Sequence, residues 1–140
     1  MTCMNKRFFD TNILFYAYDS SVPKKQAVAQ TMLAESAADG SGCISVQVLG
    51  EFFHATVVRK HLLSADEAES AIRNLGALQI VDIDYAMVRA AIEVHRKYQT
   101  SYWDSLIVAA AKRSHCVEVV SEDFSAGQSY DGMAVLNPFA

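Results

Sequence analysis

The sequence predicts an α/β domain in which a mainly parallel central sheet is covered by helices on both faces. Three observations lead there. Short apolar runs that stop at acidic or turn residues alternate along the chain with longer stretches of helical periodicity. The stretch from Tyr102 to His115 is apolar almost all round, the pattern of a helix packed on several sides. The 140 residues, 51% hydrophobic and 20% charged, suit one ordinary globular domain spanning 1–140.

Arg7, Phe8 and Phe9 read as a short buried strand that stops at Asp10, and Asn12 to Tyr18 follow with helical character. The turn residues Asp19, Ser20, Ser21 and Pro23 precede a second helix over Lys24 to Ala38, with Val28, Met32 and Leu33 at helical spacing. Asp39, Gly40, Ser41 and Gly42 break it. Cys43 to Ser45 form the next strand candidate, and a helix from Val46 to Lys60 carries Leu49, Phe52, Phe53 and Val57 on one face, with Glu51 at its border. Ser64 and Glu67 make a capping box for a helix over Ala65 to Leu75. A strand over Gln79 to Ile83, a helix over Tyr85 to Tyr98, the helix Tyr102 to His115 and a strand over Val117 to Ser121 follow. After a Gly-containing loop, Met133 to Leu136 are a final strand candidate.

Composition excludes several classes. A formal net charge of −4 is wrong for a general nucleic-acid coat protein, whose binding rests on Lys and Arg neutralising phosphates. The longest apolar runs, such as Leu106 to Ala111, fall short of the roughly 20 residues of a membrane span. Met1 to Arg7 lacks the apolar segment and cleavage site of a secretory signal, so a cytoplasmic location is expected. Cys3, Cys43 and Cys116 are odd in number and widely spaced, which suggests reduced, partly buried thiols rather than disulfides or a zinc site.

The chemistry lies in the acids. Ligands of open parallel sheets bind outside the carboxyl ends of the strands, where Asp10 and Asp123 both fall. Glu51, about two turns into its helix, and Asp104, in the first turn of a buried helix, can face the same rim. Taken singly, each has a structural explanation: a helix cap for Asp10, a solvated face for Glu51, a charge on a helix's positive end for Asp104, a turn for Asp123. Only the set favours chemistry. Converging carboxylates raise one another's pKa unless a cation offsets the repulsion, and hard oxygen donors without Cys or His favour Mg²⁺ or Mn²⁺. Two such ions about 3.5 to 4 Å apart can stabilise the attacking and leaving oxygens of a phosphodiester displacement, and one ion with a carboxylate base is also feasible.

Other features read as background. Glu51 and His54 form one E-x-x-H pair, but a carboxylate-bridged di-iron site needs a second copy, so His54 is expected to be partly buried or behind the ligands. His115 reads as a cation or cap at a helix C-terminus, and Tyr102 and Trp103 as packing at the start of the buried helix. Basic pairs at Lys24 and Lys25, Arg59 and Lys60, Arg96 and Lys97, and Lys112 and Arg113 are solvated faces, some of which can guide a backbone. Sequence does not rank them.

Four segments resemble, in order, the acidic motifs of PIN-domain ribonucleases: FFDTNI at Phe8 to Ile13, VLGEFF at Val48 to Phe53, YWDSLIVAAA at Tyr102 to Ala111, and SEDF at Ser121 to Phe124. The tail from Ser121 through Gly127, Gly132 and Asn137-Pro138-Phe139 is similar to that of VapC-type toxins of toxin-antitoxin pairs. The resemblance implies a PIN-like α/β/α sandwich, with Asp10, Glu51, Asp104 and Asp123 as metal-binding and catalytic acids and Thr11 and Asn12 as supporting residues. It also implies Mg²⁺ or Mn²⁺ dependence, endonucleolytic cleavage of an RNA substrate, a homodimer, and a cognate antitoxin protein that blocks the site. Glu122 and Asp131, close to Asp123, are alternatives for the fourth acid. The rival readings are a PIN-family RNA-processing nuclease without an antitoxin, a non-catalytic PIN-like binding module, and a haloacid-dehalogenase-like phosphatase. The phosphatase wants D-x-D, where this chain has Asp10-Thr11-Asn12; the binding module would be expected to have lost acids.

Overall fold

In the computed structural model, which describes residues 5–125 and 127–140, the alternation of strands and helices closes into one six-stranded sheet of order β3-β2-β1-β4-β6-β5. The strands are β1 (Lys6–Phe9), β2 (Gly42–Ser45), β3 (Gln79–Val81), β4 (Cys116–Val120), β5 (Ser129–Tyr130) and β6 (Met133–Leu136). All neighbouring pairs are parallel except β5 with β6. Helices α1 (Thr11–Ala17), α2 (Pro23–Asp39), α3 (Val46–Phe53), α4 (Ala65–Leu75), α5 (Tyr85–Tyr98) and α6 (Tyr102–Arg113) flank the sheet in an α/β/α sandwich.

Strand order decides where a site can form. From β1 the chain moves outward through β2 to β3, then returns to place β4 on the other side of β1. Right-handed crossovers in opposite directions put their helices on opposite faces, and the loops after β1 and β4 splay apart. Asp10 follows β1 and Ser121 follows β4, so both stand at this switch point, where the Asp10 N–H donates to Val120 O at 3.0 Å.

The core is apolar where the periodicity places it. Phe8, Phe9, Ile13, Leu14, Ile44, Val48, Phe52, Val108, Val119 and Val120 are fully buried. Every residue from Ser105 to Ala111 is buried, as expected of a helix apolar all round. Ser64 and Glu67 form the expected capping box, with bonds of 3.1 and 2.9 Å. No helix among the described residues is long and apolar enough to cross a membrane. Cys43 and Cys116 are buried free thiols, and Cys3 lies outside the described residues.

Several boundaries differ from expectation. The helix expected over Val46 to Lys60 is α-helical only to Phe53 and continues as a π-helical turn, His54–Arg59. The strand after α4 ends at Val81 rather than Ile83. The helix α6 ends at Arg113, and His115 follows it with φ 60°, its N–H closing on Lys112 O at 3.0 Å. The short antiparallel strand β5 was not foreseen, because two residues carry no periodicity to read.

Candidate active site

Asp10, Glu51, Asp104 and Asp123 line one open cleft of about 730 Å³, together with Thr11 and Asn12. Asp10 is buried at the end of β1, and its carboxylate accepts from the Thr11 N–H at 2.8 Å, capping α1. The helix-cap role and a place in the acid cluster therefore coexist. Glu51 stands exposed on the last turn of α3, and Asp104 on the first turn of α6, where Ser101 Oγ accepts the Asp104 N–H at 3.1 Å. Gln47 Nε2 donates to Trp103 O at 3.2 Å and ties these two helices together across the cleft.

The first turn of α1 holds the acids in register. Thr11 Oγ1 donates to Glu51 Oε1 at 2.9 Å. Asn12 Nδ2 donates to Asp123 Oδ2 at 3.0 Å and to Asp10 Oδ2 at 3.3 Å, while its Oδ1 accepts the Glu122 N–H at 3.2 Å. One Thr and one Asn therefore link Asp10 to acids far away in sequence.

Ser121 is the residue that sequence reasoning passed over. Its buried hydroxyl donates to Asp10 Oδ2 at 2.7 Å and accepts the Asp123 N–H at 3.1 Å and the Phe124 N–H at 3.3 Å. One hydroxyl thus orients the first acid and shapes the loop carrying the fourth. The available signal was a serine at a strand end with acids after it, since such hydroxyls cap the turn that follows.

Three acids crowded into one cleft titrate abnormally. Burial pushes Asp10 from its ordinary 3.8 up to about 6, with the charges of Glu51 and Asp104 adding to the rise and the bonds from Ser121 and Thr11 opposing it. Desolvation in the cleft also raises Glu51, helped by the Asp104 charge, and raises Asp104, helped by the Asp123 charge. Among the described residues no three Asp, Glu, His or Cys side chains already stand together as ready-made metal ligands. The donor set nevertheless suits a hard divalent cation: every charged donor is a carboxylate oxygen, and the mutual repulsion is what a cation relieves. Asp10, Glu51, Asp104 and Asp123 are the residues that would close around it.

The alternatives to Asp123 are engaged by lysines, although Glu122 lines the same cleft. Glu122 pairs with Lys25, which holds its carboxyl below the ordinary range. Asp131, outside the cleft, is bridged by Lys97 and by Lys112 of the last turn of α6 and bonded by Tyr98 Oη at 2.6 Å. His54, expected to be partly buried or behind the ligands, is instead exposed on the cleft wall, because the helix that carries it faces solvent there. Trp103 packs edge-on against Tyr102 at 5.0 Å and remains 62% exposed beside Asp104.

An α/β/α domain with an acid-lined cleft at the switch point of a parallel sheet is the class that fold and site define. Comparison with known families makes it specific: the PIN domain profile matches residues 7–126, and the chain belongs to that family. No curated protein sequence matches it significantly. Among solved structures, DNA-bound VapBC from Salmonella typhimurium superposes with a TM-score of 0.71 at 15% identity, covering 96% of this chain and 99% of the other. A toxin-antitoxin complex from Klebsiella pneumoniae gives 0.68 at 19% identity, covering 95% and 98%. The sarcin-ricin loop-cleaving toxin VapC20 of Mycobacterium tuberculosis gives 0.64 at 17% identity, covering 81% and 87%. At these identities the likeness is one of fold.

Proposed function

We propose that the protein is a divalent-metal-dependent endoribonuclease with Asp10, Glu51, Asp104 and Asp123 as its catalytic acids, and that it acts as the toxin of a toxin-antitoxin pair. The observation that carries this reading is the cleft that gathers four sequence-distant carboxylates, with Thr11 and Asn12 linking Asp10, Glu51 and Asp123 and Asp104 facing them from the start of α6. Mg²⁺ or Mn²⁺, when bound, would neutralise the carboxylates and activate a water for in-line attack on an RNA phosphodiester. The chain's own part is positioning. Ser121 and Thr11 fix Asp10, Thr11 holds Glu51 across the cleft, and Asn12 restrains Asp123 where it can orient the attacking water or accept its proton.

The partner half of the reading is supported by the similar structures solved as toxin-antitoxin or VapBC complexes. An uncompensated acid cluster attracts a guanidinium as readily as a metal ion, so an antitoxin segment carrying Arg or Lys is suited to enter the cleft and block it. The homodimer and the cytoplasmic location belong to the same proposal and rest on the resemblance to VapC-type toxins.

The direct test is cleavage of single-stranded or structured RNA by purified protein. Cleavage is expected with Mg²⁺ or Mn²⁺ and none in excess chelator; undiminished cleavage in chelator would refute the metal mechanism.

A second test separates Asp123 from its neighbour. Asp123→Asn is expected to lower the single-turnover rate at least tenfold while changing Mn²⁺ affinity less. Glu122→Gln, which loses the charge paired with Lys25, is expected to change the rate by less than threefold. A larger rate loss from Glu122→Gln than from Asp123→Asn would reverse the assignment.

A further inference from the structure

The cleft wall beyond Glu51 is built by a helix whose pitch changes. Its cleft-facing positions advance in pairs, 46/47, 50/51, 54/55 and 59/60, in steps of four, four and then five. An α-helix returns to the same face after 3.6 residues, so the last step needs a wider turn. That turn is the π-helical segment His54–Arg59, which closes with an i to i+5 bond from Lys60 N–H to Ala55 O at 3.0 Å. A continued α-helix would have turned Val58 toward the cleft. Instead Val58 is 52% exposed, and Arg59 and Lys60 line the cleft.

The wide turn is anchored at Thr56. Its fully buried hydroxyl donates to Phe52 O at 2.8 Å, and its carbonyl accepts the N–H groups of Leu62 and Leu63 at 2.7 and 3.1 Å. The direction of the chain leaving the turn is therefore set, and with it the place of the two cations.

The structure also ranks the basic pairs. Lys25 is engaged by Glu122, Arg96 by Glu93, Lys97 and Lys112 by Asp131, and Arg113 by Asp84. Arg59 and Lys60 have no carboxylate partner among the described residues, although five carboxylates line the same cleft. Eight residues along the wall separate Arg59 from Glu51, about 12 Å at helical rise.

We propose that Arg59 and Lys60 form a phosphate subsite that holds a single-stranded RNA backbone at a phosphate flanking the one to be cut. The subsite rests on the nuclease reading above. An acidic cleft in a chain of net charge −4 repels a polyanion, and a pair of cations on the cleft wall supplies a local attraction for its backbone. The Arg59 guanidinium can grip two phosphate oxygens at once, while Lys60 adds a point charge.

The test uses a fluorescently labelled, random-sequence single-stranded oligoribonucleotide. Cleavage is followed with Mn²⁺, and binding is followed by anisotropy in chelator. Arg59→Ala/Lys60→Ala is compared with Arg73→Ala/Arg96→Ala, which removes the same charge from exposed helix ion pairs on α4 and α5. The first double variant is expected to raise KM about tenfold while kcat falls by less than threefold. Its binding should lose about 1.4 from the slope of log affinity against log salt, at about 0.7 per single-strand phosphate contact. The second should leave both unchanged.

A cleaving wild type whose KM and salt slope are untouched in Arg59→Ala/Lys60→Ala would sink the subsite alone. Equal losses in both double variants would replace it with a diffuse charge effect. A wild type that neither binds nor cleaves the probe would sink the nuclease reading and the subsite with it. Intact RNA parameters combined with weakened binding of an antitoxin peptide would reassign the pair to the protein partner and overturn the RNA subsite.

Discussion

Asp10→Asn is expected to abolish RNA cleavage and, in chelator, to make the protein more stable than wild type. The two effects have one origin. Burial holds the Asp10 carboxyl at a pKa of about 6 instead of 3.8, so its ionised form destabilises the metal-free fold. A shift of that size corresponds to about 3 kcal/mol at 1.36 kcal/mol per unit. The folded-state pKa of this acid is raised, so between about pH 4 and pH 6 the folded state binds more protons than the unfolded one. Stability of the metal-free protein therefore falls as pH rises through that window, and the penalty is complete above it. Asparagine keeps an acceptor for the Thr11 N–H but must repack against Ser121 and Asn12, so a net gain of about 1–2 kcal/mol at pH 7 is expected. Urea unfolding of both proteins in chelator, at pH 4.5 and pH 7, measures it. A variant that is inactive but less stable at pH 7 would make Asp10 a structural carboxylate instead of one retained at a cost for chemistry.

Phe52→Ala is expected to cost about 3–5 kcal/mol of folding stability, the range for truncating a fully buried aromatic. The ring sits in the core one residue from Glu51 and packs edge-on against Tyr18 at 5.5 Å. Its loss removes the apolar anchor of α3, the helix that carries Glu51 on its opposite border, so Mn²⁺ affinity should weaken as well. Denaturant midpoints with an unchanged slope report the first effect and calorimetric titration the second. A loss below about 1 kcal/mol would show that the site can collapse around the missing ring and that α3 is held from elsewhere.

The helices and the main strands were legible in sequence because their causes are local. Apolar spacing marks the helices, the Ser64 capping box one helix start, and acids or glycines the strand ends. Asp10, Glu51, Asp104 and Asp123 could be singled out for the same reason, because each occupies a strand end or a helix position that a one-dimensional pattern locates. Tertiary structure alone decided that Glu122 is engaged by Lys25 while Asp123 is held by Asn12, since residues 111 apart in the chain meet only after β1 and β4 pair. It alone made Ser121 the shared partner of Asp10 and Asp123, and it alone distinguished Arg59 and Lys60 from the other basic pairs. A hydroxyl's partner and a cation's neighbour are set by packing between distant segments, and the wide turn after Phe53 follows from how Thr56 is buried, which no spacing along the chain encodes.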